Sequence, residues 1–349
     1  MFNRRRAWLS SFFIKKYNYM KFRFFSIFIA AGIALTACSK SDDPKPESPD
    51  KPNPEQPENP GNEEEIPTTA YGLTQLEPST NFAKEPVETV YARQTARELS
   101  GVAASRVNPG LLYVHEDSKR SPILITNAQG EDLGKIVLDG QATLDPEDIA
   151  VGPGPEEGKS YIYFADIGDN DKVRGSIAVY RFEEPVLLAS DEPLEIHPSD
   201  VTKIVLHYPE AVYNAETFLV DPITKDWYIL TKENMRAKVF KATYPQTAST
   251  SLTQVLNMRS FDLFTSGDIS ADGTEILLRN KGQIWYWERD PAKSIVETLL
   301  EAPFKAPYAG NERQGEGVAF AADGSGFFTN TEVDDFPDEA AKQSFYGRQ

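Results

Sequence analysis

From residue 98 onward, short apolar runs alternate with turn-forming clusters. Five stretches share one layout. They are "SGVAASRVNPGLLYVHEDS" from Ser100, "EDIAVGPGPEEGKSYIYFADIGDN" from Glu147, "ETFLVDPITKDWYILTKEN" from Glu216, "GDISADGTEILLRN" from Gly267 and "EGVAFAADGSGFFTNTE" from Glu316. Each gives an apolar strand, a turn with Pro, Gly or Asp, and a second apolar or aromatic strand. Asp272-Gly273 and Asp323-Gly324 supply the positive-φ positions that tight hairpins need. Third and fourth strands follow in most units: "PILITNAQG" with "GKIVLDG", "SIAVYRFEEP" with "TKIVLHYP", "AKVFKATYP" with "SLTQVLNM", and "GQIWYWERD" with "SIVETLLEA". Four antiparallel strands recurring along a chain are the pattern of β-propeller blades. A β-sandwich also has many short strands, but would not repeat one first-strand motif. The expectation is an all-β chain forming a single propeller over residues 68–349. Five blades fit, and six require one degenerate unit.

The last unit stops after its third strand, "SFYGRQ". Residues 87–92, "VETVYA", alternate in polarity and are otherwise unassigned. They are expected to fill the missing outer place, closing the ring and covering an exposed edge. In "QIWYWER", Ile284 and Tyr286 alternate with Trp285 and Trp287, which predicts burial between neighbouring blades.

The first 67 residues follow other rules. In residues 21–37, "KFRFFSIFIAAGIALTA", a basic start leads into a short apolar run ending in small residues. That is the layout of a secretory signal, and it is short for a membrane span. A single transmembrane anchor is the alternative. Met20 begins a complete signal by itself and is the expected true start. Residues 38–67 hold eight prolines from Pro44 to Pro67, many acidic residues and almost nothing apolar, which makes them a tether. Cys38, the only cysteine, has no partner for an intramolecular disulfide. Leu35-Thr36-Ala37-Cys38 resembles the lipobox of bacterial lipoproteins, in which the signal is cleaved before the cysteine and the cysteine carries the lipid. "SKSDD" after it is similar to the acidic surface-export tag of lipoproteins in Bacteroides-like bacteria. Both imply a lipid-anchored outer-membrane protein, exposed at the cell surface or held on the periplasmic face.

Removing residues 1–37, which carry seven Lys or Arg and no acid, takes the net charge from −17 to −24. That argues against a nucleic-acid partner and suits solubility, a monomer and cation binding.

In a propeller the first strand of each blade lines the central channel. Its start and the end of the second strand meet at one mouth. Glu147, Glu216 and Glu316 fall in one repeat column, Asp148 and Asp268 in the next, and Glu98 just before the first unit. The second strands end near His115, Glu116 and Asp117, then Asp166 and Asp169, then Lys232, Arg279 and Glu332. Crowded carboxylates must be protonated, paired or bound to a cation. Hard oxygen donors suit Ca²⁺, so Glu98, Glu147, Asp148, Glu216, Asp268 and Glu316 are the expected ligands. The alternative is a water-filled channel with ion pairs to Lys232 and Arg279. The three histidines lack zinc-type spacing. "ADIGDND" offers Asp166, Asp169 and Asn170 as a second metal loop, or simply an Asx-rich turn. G-x-S-x-G, P-loop and dinucleotide glycine motifs are absent from the sequence.

"LLYVHEDS", "PEDIAVGPG", "YIYFADIGDN", "IAVYRFEEP", "NAETFLVDP" and "SGDISADG" resemble a family of secreted bacterial β-propeller proteins over residues 98–332. "DIGDN" and "VYRFEEP" are its most specific marks. The family implies a propeller and export, and by itself no reaction. Glu98-Leu99-Ser100-Gly101, Glu216 and Glu316 are remotely similar to the central acidic residues of five-bladed calcium-dependent apyrases and β-propeller phytases, which use Ca²⁺ to bind phosphate. Two functions follow as expectations. One is a surface-anchored propeller that binds a small ligand, glycan or protein at an acidic mouth. The other is a Ca²⁺-dependent phosphoester or phosphoanhydride hydrolase, with His115, Lys232 and Arg279 contacting phosphate. Surface glycan hydrolysis by two of the Glu residues is a third. For the anchor the test is direct: Cys38→Ser is expected to abolish lipid labelling and release the chain from membranes, and unchanged membrane retention refutes it.

Overall fold

The computed structural model describes residues 65–349 apart from Ala189 and Asn311. They belong to one compact unit, Asn62–Gln349. The expected signal segment, Cys38 and the tether up to residue 64 lie outside the described residues.

Five sheets form, each beginning with an inner strand. Blade 1 is Leu99–Ala104, Leu111–Glu116, Ile123–Asn127 and Gly134–Ile136. Blade 2 is Asp148–Pro153, Ser160–Asp166, Ile177–Glu183 and Thr202–His207. Blade 3 is Ala215–Val220, Trp227–Thr231, Arg236–Ala242 and Thr253–Arg259. Blade 4 is Ser266–Ile269, Glu275–Asn280, Gln283–Glu288 and Phe304–Lys305. Blade 5 is Gly315–Phe320, Gly326–Thr331, Lys342–Gly347 and the N-terminal strand Val87–Val90. Consecutive inner strands are neighbours, and that of blade 5 meets that of blade 1, so the chain is a closed five-bladed β-propeller. Closure is as the sequence predicts: Val87 pairs with Phe345 and Val90 with Lys342, antiparallel.

The core lies between blades, because each sheet is apolar on both faces. Trp285 and Trp287 face blade 3, against Tyr228, Leu230 and Phe261. Ile284 and Tyr286, one residue out of phase, face blade 5 with Phe320, Phe327 and Tyr346. The two-residue period of a strand puts one aromatic pair into each interface.

One expected strand is a helix. In "SIVETLLEA", residues Ile295–Leu299 are α-helical and the outer strand of blade 4 is Phe304–Lys305. The Ser294 hydroxyl accepts from the Glu297 N–H while the Glu297 carboxylate accepts from the Ser294 N–H, a capping box. Ile295 and Leu299, four apart, then bury one face against blades 3 and 4. Two short outer strands were not foreseen. Leu194–Ile196 runs parallel to Gly134–Ile136, and Ser249–Ser251 parallel to Thr202–His207. Each belongs to a connection that returns to widen the preceding blade.

The N-terminal segment does more than supply one strand. Thr68 bridges Asn257 on blade 3, Pro78 bridges Lys305 on blade 4, and Val87–Val90 completes blade 5. It is a belt along three outer edges. Phe82 rivets it, with its ring edge-on to Tyr286 of blade 4 at 5.2 Å and to Phe327 of blade 5 at 4.9 Å between centroids. Phe82→Ala is therefore expected to cost about 3–5 kcal/mol, as for other buried aromatics cut to alanine. Urea denaturation of the full chain measures this. A loss under about 1 kcal/mol would show that the belt is not fastened there.

Candidate functional site

An inner strand has a sheet neighbour on one side only, so its channel-side N–H and C=O groups need other partners. Side chains from neighbouring blades supply them. Asp148 Oδ2 accepts from the Phe218 N–H at 2.9 Å, one blade on, while its Oδ1 accepts from Ile149 N–H at 3.0 Å and the Ser266 hydroxyl at 3.1 Å. Asp268 repeats the device, accepting from Phe320 N–H and Ile269 N–H at 2.8 Å each. The Ser100 hydroxyl donates to the Glu147 carbonyl, and the Thr265 hydroxyl to those of Gly315 and Glu316. The channel is thus stitched shut along its middle. Asp148 and Asp268, expected as metal ligands, are buried latches between blades. Burial lifts Asp148 well above the carboxylate range, although backbone donors pull it down, and lifts Asp268 to about 6 against the pull of Arg106 and then of its backbone donors.

Other expected contacts are also engaged. Arg279 is fully buried, paired with Glu312 at 2.9 Å and donating to the Gly317 carbonyl at 3.0 Å. It holds blade 4 to blade 5 and does not reach the mouth. His115 is buried too. Its Nε2 accepts from the Gly101 N–H at 3.2 Å, which leaves Nδ1 to donate to the Glu116 carbonyl at 3.0 Å. Burial drops its pKa to about 4, so it is neutral at pH 7. The "DIGDN" loop is an Asx-rich turn. Asp169 accepts from Val173 and Arg174 N–H at 2.9 Å, and Asp166 pairs with Arg174 at 3.0 Å. Asn170 is bound by Asn214. Gly168 leaves room for Asp145 and Glu147, whose carboxylates lie where a Cβ would stand.

At the start of the inner strands the channel opens to an acidic mouth. β-bulges at residues 99–102, 215–217 and 315–318 interrupt the inner strands of blades 1, 3 and 5 there. Glu216 pairs with Lys232, and Glu316 with Lys281 at 3.1 Å. Asp117, Asp145, Glu147, Glu98 and Glu332 share the same field. Burial raises Asp117 to about 7, helped by Glu98, Glu332, Asp145 and Glu316. Glu216 also rises to about 7, through burial that outweighs the pull of Lys232. Glu98 and Glu332 are raised by burial and by neighbouring carboxylates, and Asp145 by burial. Burial and then Glu216 push Glu147 well above its ordinary value. No hydrogen bond or ion pair among the described residues reaches the Glu147 carboxylate, although the residue is only 5% exposed. Burial alone would lower Lys232, but Glu216, Glu316 and Glu147 hold it above its usual value.

Lys281 and Asp145 are missed by repeat alignment. Lys281 sits two residues beyond Arg279, just past the strand end, and the column arithmetic stopped at Arg279. Asp145 precedes the aligned Glu147. No group of three or more His, Cys, Asp or Glu among the described residues is arranged to hold one metal ion. No preformed Ca²⁺ cage is present among the described residues of the mouth, and two of its acids, Glu216 and Glu316, are taken by lysines.

No family model matches the chain, and no curated protein matches it. Solved structures do. A chain in a crystal structure of a nidogen/laminin complex is 14% identical, with a TM-score of 0.39 over 72% of this chain and 84% of that one. A structure of U3-55K is 11% identical, with a TM-score of 0.34 over 70% and 79%. The RRP9 WD40 repeats are 11% identical, with a TM-score of 0.36 over 71% and 79%. Matches this remote carry nothing about ligands.

The raised carboxylates make a prediction about pH. A folded-state pKa above the unfolded value means that the folded protein holds the proton longer. Its stabilising contribution is full below about pH 4 and is lost as pH rises through about 7. Asp117→Asn removes one such group. Its melting temperature is expected to exceed wild type at pH 8 by more than at pH 5, and an equal difference at both would contradict the raised pKa.

Proposed function

We propose that the chain is a binding module that recognises a positively charged group of a ligand or partner at this acidic mouth, carried at a membrane surface by a lipid on Cys38. The observation behind the reading is the Glu147 carboxylate, a residue 5% exposed at the mouth, which no hydrogen bond or ion pair among the described residues reaches and which the charge of Lys232 offsets only in part. A buried carboxylate left so is costly when ionised, and an entering cation removes that cost. Glu216, Asp117 and Asp145 extend the negative field, against the counter-charges of Lys232, Lys281, Arg174 and Lys119. An amine or guanidinium suits several carboxylate acceptors at one mouth, because it offers several N–H directions at once.

The hydrolase reading is weakened by the same geometry. Of its expected phosphate contacts, Arg279 and His115 are occupied within the blades, and Lys232 is held by Glu216. A phosphate would meet mainly carboxylates.

Calorimetric titration of the full chain with spermidine, and separately with CaCl₂, tests the proposal. Spermidine is expected to bind, more tightly at pH 8 than at pH 6 as Asp117 and Glu216 ionise, and more weakly in high salt. At a hundredfold excess over Kd, a bound ligand adds about 2.7 kcal/mol of apparent stability. Glu147→Gln should weaken binding at least tenfold. Saturable Ca²⁺ binding lost in the same variant would make the mouth an ion site, and no binding by either cation would overturn the proposal.

A further inference from the structure

We propose that the opposite mouth of the channel is a second ligand site, which takes a small molecule bearing a carboxylate on an apolar body, with Arg106 as its anchor. All five inner strands run from the acidic mouth to this one, so their far ends and first hairpin turns surround it. Two cavities open here, of about 320 and 460 Å³. The first is walled by blades 1 to 4, with Val151, Val220, Pro222 and Ile269 among its lining. The second lies between blades 1 and 5, with Leu112, Ala321, Phe328 and Phe345. Arg106 lines both.

The unusual feature is how Arg106 is held. Glu184, the nearest acid to its backbone, is buried and spends its carboxylate elsewhere. It accepts from the Arg106 main-chain N–H at 3.1 Å, from the Ser105 hydroxyl and from Tyr113 Oη at 3.2 Å. That fixes the main chain of Arg106 and leaves its guanidinium without an ion pair. Nη1 is buried with no hydrogen-bond partner. Buried guanidinium donors are normally paired, since leaving one unmade carries its full desolvation cost. Asp268, at the channel floor, feels the Arg106 charge, but both of its oxygens accept backbone N–H groups of Ile269 and Phe320 and none bonds the guanidinium. Asp323, at the rim, accepts from Ser325 N–H, and Lys159 is paired with Glu156 and Glu183. A planar guanidinium with a free edge among aliphatic and aromatic walls selects a carboxylate attached to an apolar group. The acidic mouth would repel the same molecule, so the two ends take ligands of opposite charge.

The probe is 3-phenylpropionate, titrated into the full chain by ligand-observed NMR and calorimetry, with 3-phenylpropanamide as its neutral counterpart. For a fragment of this size the expected Kd is on the order of 1 mM. Arg106→Gln is expected to weaken it about tenfold or more, the usual loss for a hydrogen bond to a charged group. Glu147→Gln, at the other mouth, should leave 3-phenylpropionate binding unchanged. The proposal is overturned if no saturable binding is seen at about ten times the expected Kd, if the amide binds as well as the acid, or if Arg106→Gln binds as wild type does.

Discussion

A ring of sheets leaves five inner strand edges facing one another across a space too narrow for ordinary pairing. Each buried N–H or C=O left unpaired there would cost about 1–3 kcal/mol, which a marginally stable fold cannot absorb several times over. This chain meets the constraint with short side chains reaching across blade boundaries. Asp148 links blade 2 to blades 3 and 4, Asp268 links blade 4 to blade 5, and Ser100, Thr265 and Ser266 fill the gaps between them. Glycines allow the close approach. A Cβ on Gly101 would meet His115 and Asp148, and one on Gly317 would meet the Ser100 carbonyl. The same stitches explain why buried carboxylates persist at the centre of the molecule: their oxygens are met by fixed donors, and Arg106 adds a counter-charge for Asp268.

That solution confines chemistry to the two ends. Because every inner strand runs in the same sense, residue types at strand starts accumulate at one mouth and those at strand ends at the other. The starts carry Glu147, Glu216 and Glu316, and the carboxylates that crowd there raise one another. The far ends carry Val151, Val220 and Ile269 with Arg106, whose buried Nη1 has no hydrogen-bond partner among the described residues. The polarity of the molecule is thus a consequence of topology acting on a repeated sequence column.

The repeat made the architecture legible before any coordinates. Strand alternation in "QIWYWER" assigned Trp285 and Trp287 to one interface and Tyr286 to the other, and the unpaired "VETVYA" stretch supplied the closing strand. Where the sequence misled, the cause was local and physical. "SIVETLLEA" satisfies both a strand and a helix pattern, and the reciprocal Ser294–Glu297 cap decided for the helix. The repeat columns placed acids near one mouth but could not separate those that point out of the channel from those that point across it. Asp148 and Glu147 are adjacent, and the pleat sends one to the backbone of the next blade and leaves the other without a partner. Arg279 and Lys281 differ by two residues. One is drawn into Glu312 and the other reaches Glu316, a choice made by Glu312, which lies outside the repeat motif.

Glu312 also shows how the fold and the mouth depend on each other. It lies in the connection leading into the inner strand of blade 5, takes the Arg279 guanidinium at 2.9 Å and accepts from the Thr329 hydroxyl. Arg279 in turn donates to Gly317, on the strand that carries Glu316. A charge pair buried this fully contributes little net stability over an apolar replacement, but removing one partner is costly because the other is stranded. Its value lies in geometry. The pair sets where the blade 5 strand begins relative to blade 4, and so where Glu316 stands when Lys281 meets it. Glu316 at the rim therefore owes its position to an ion pair one layer below. In that pair the charges are matched one to one, whereas at the rim the carboxylates are left in excess of their counter-charges.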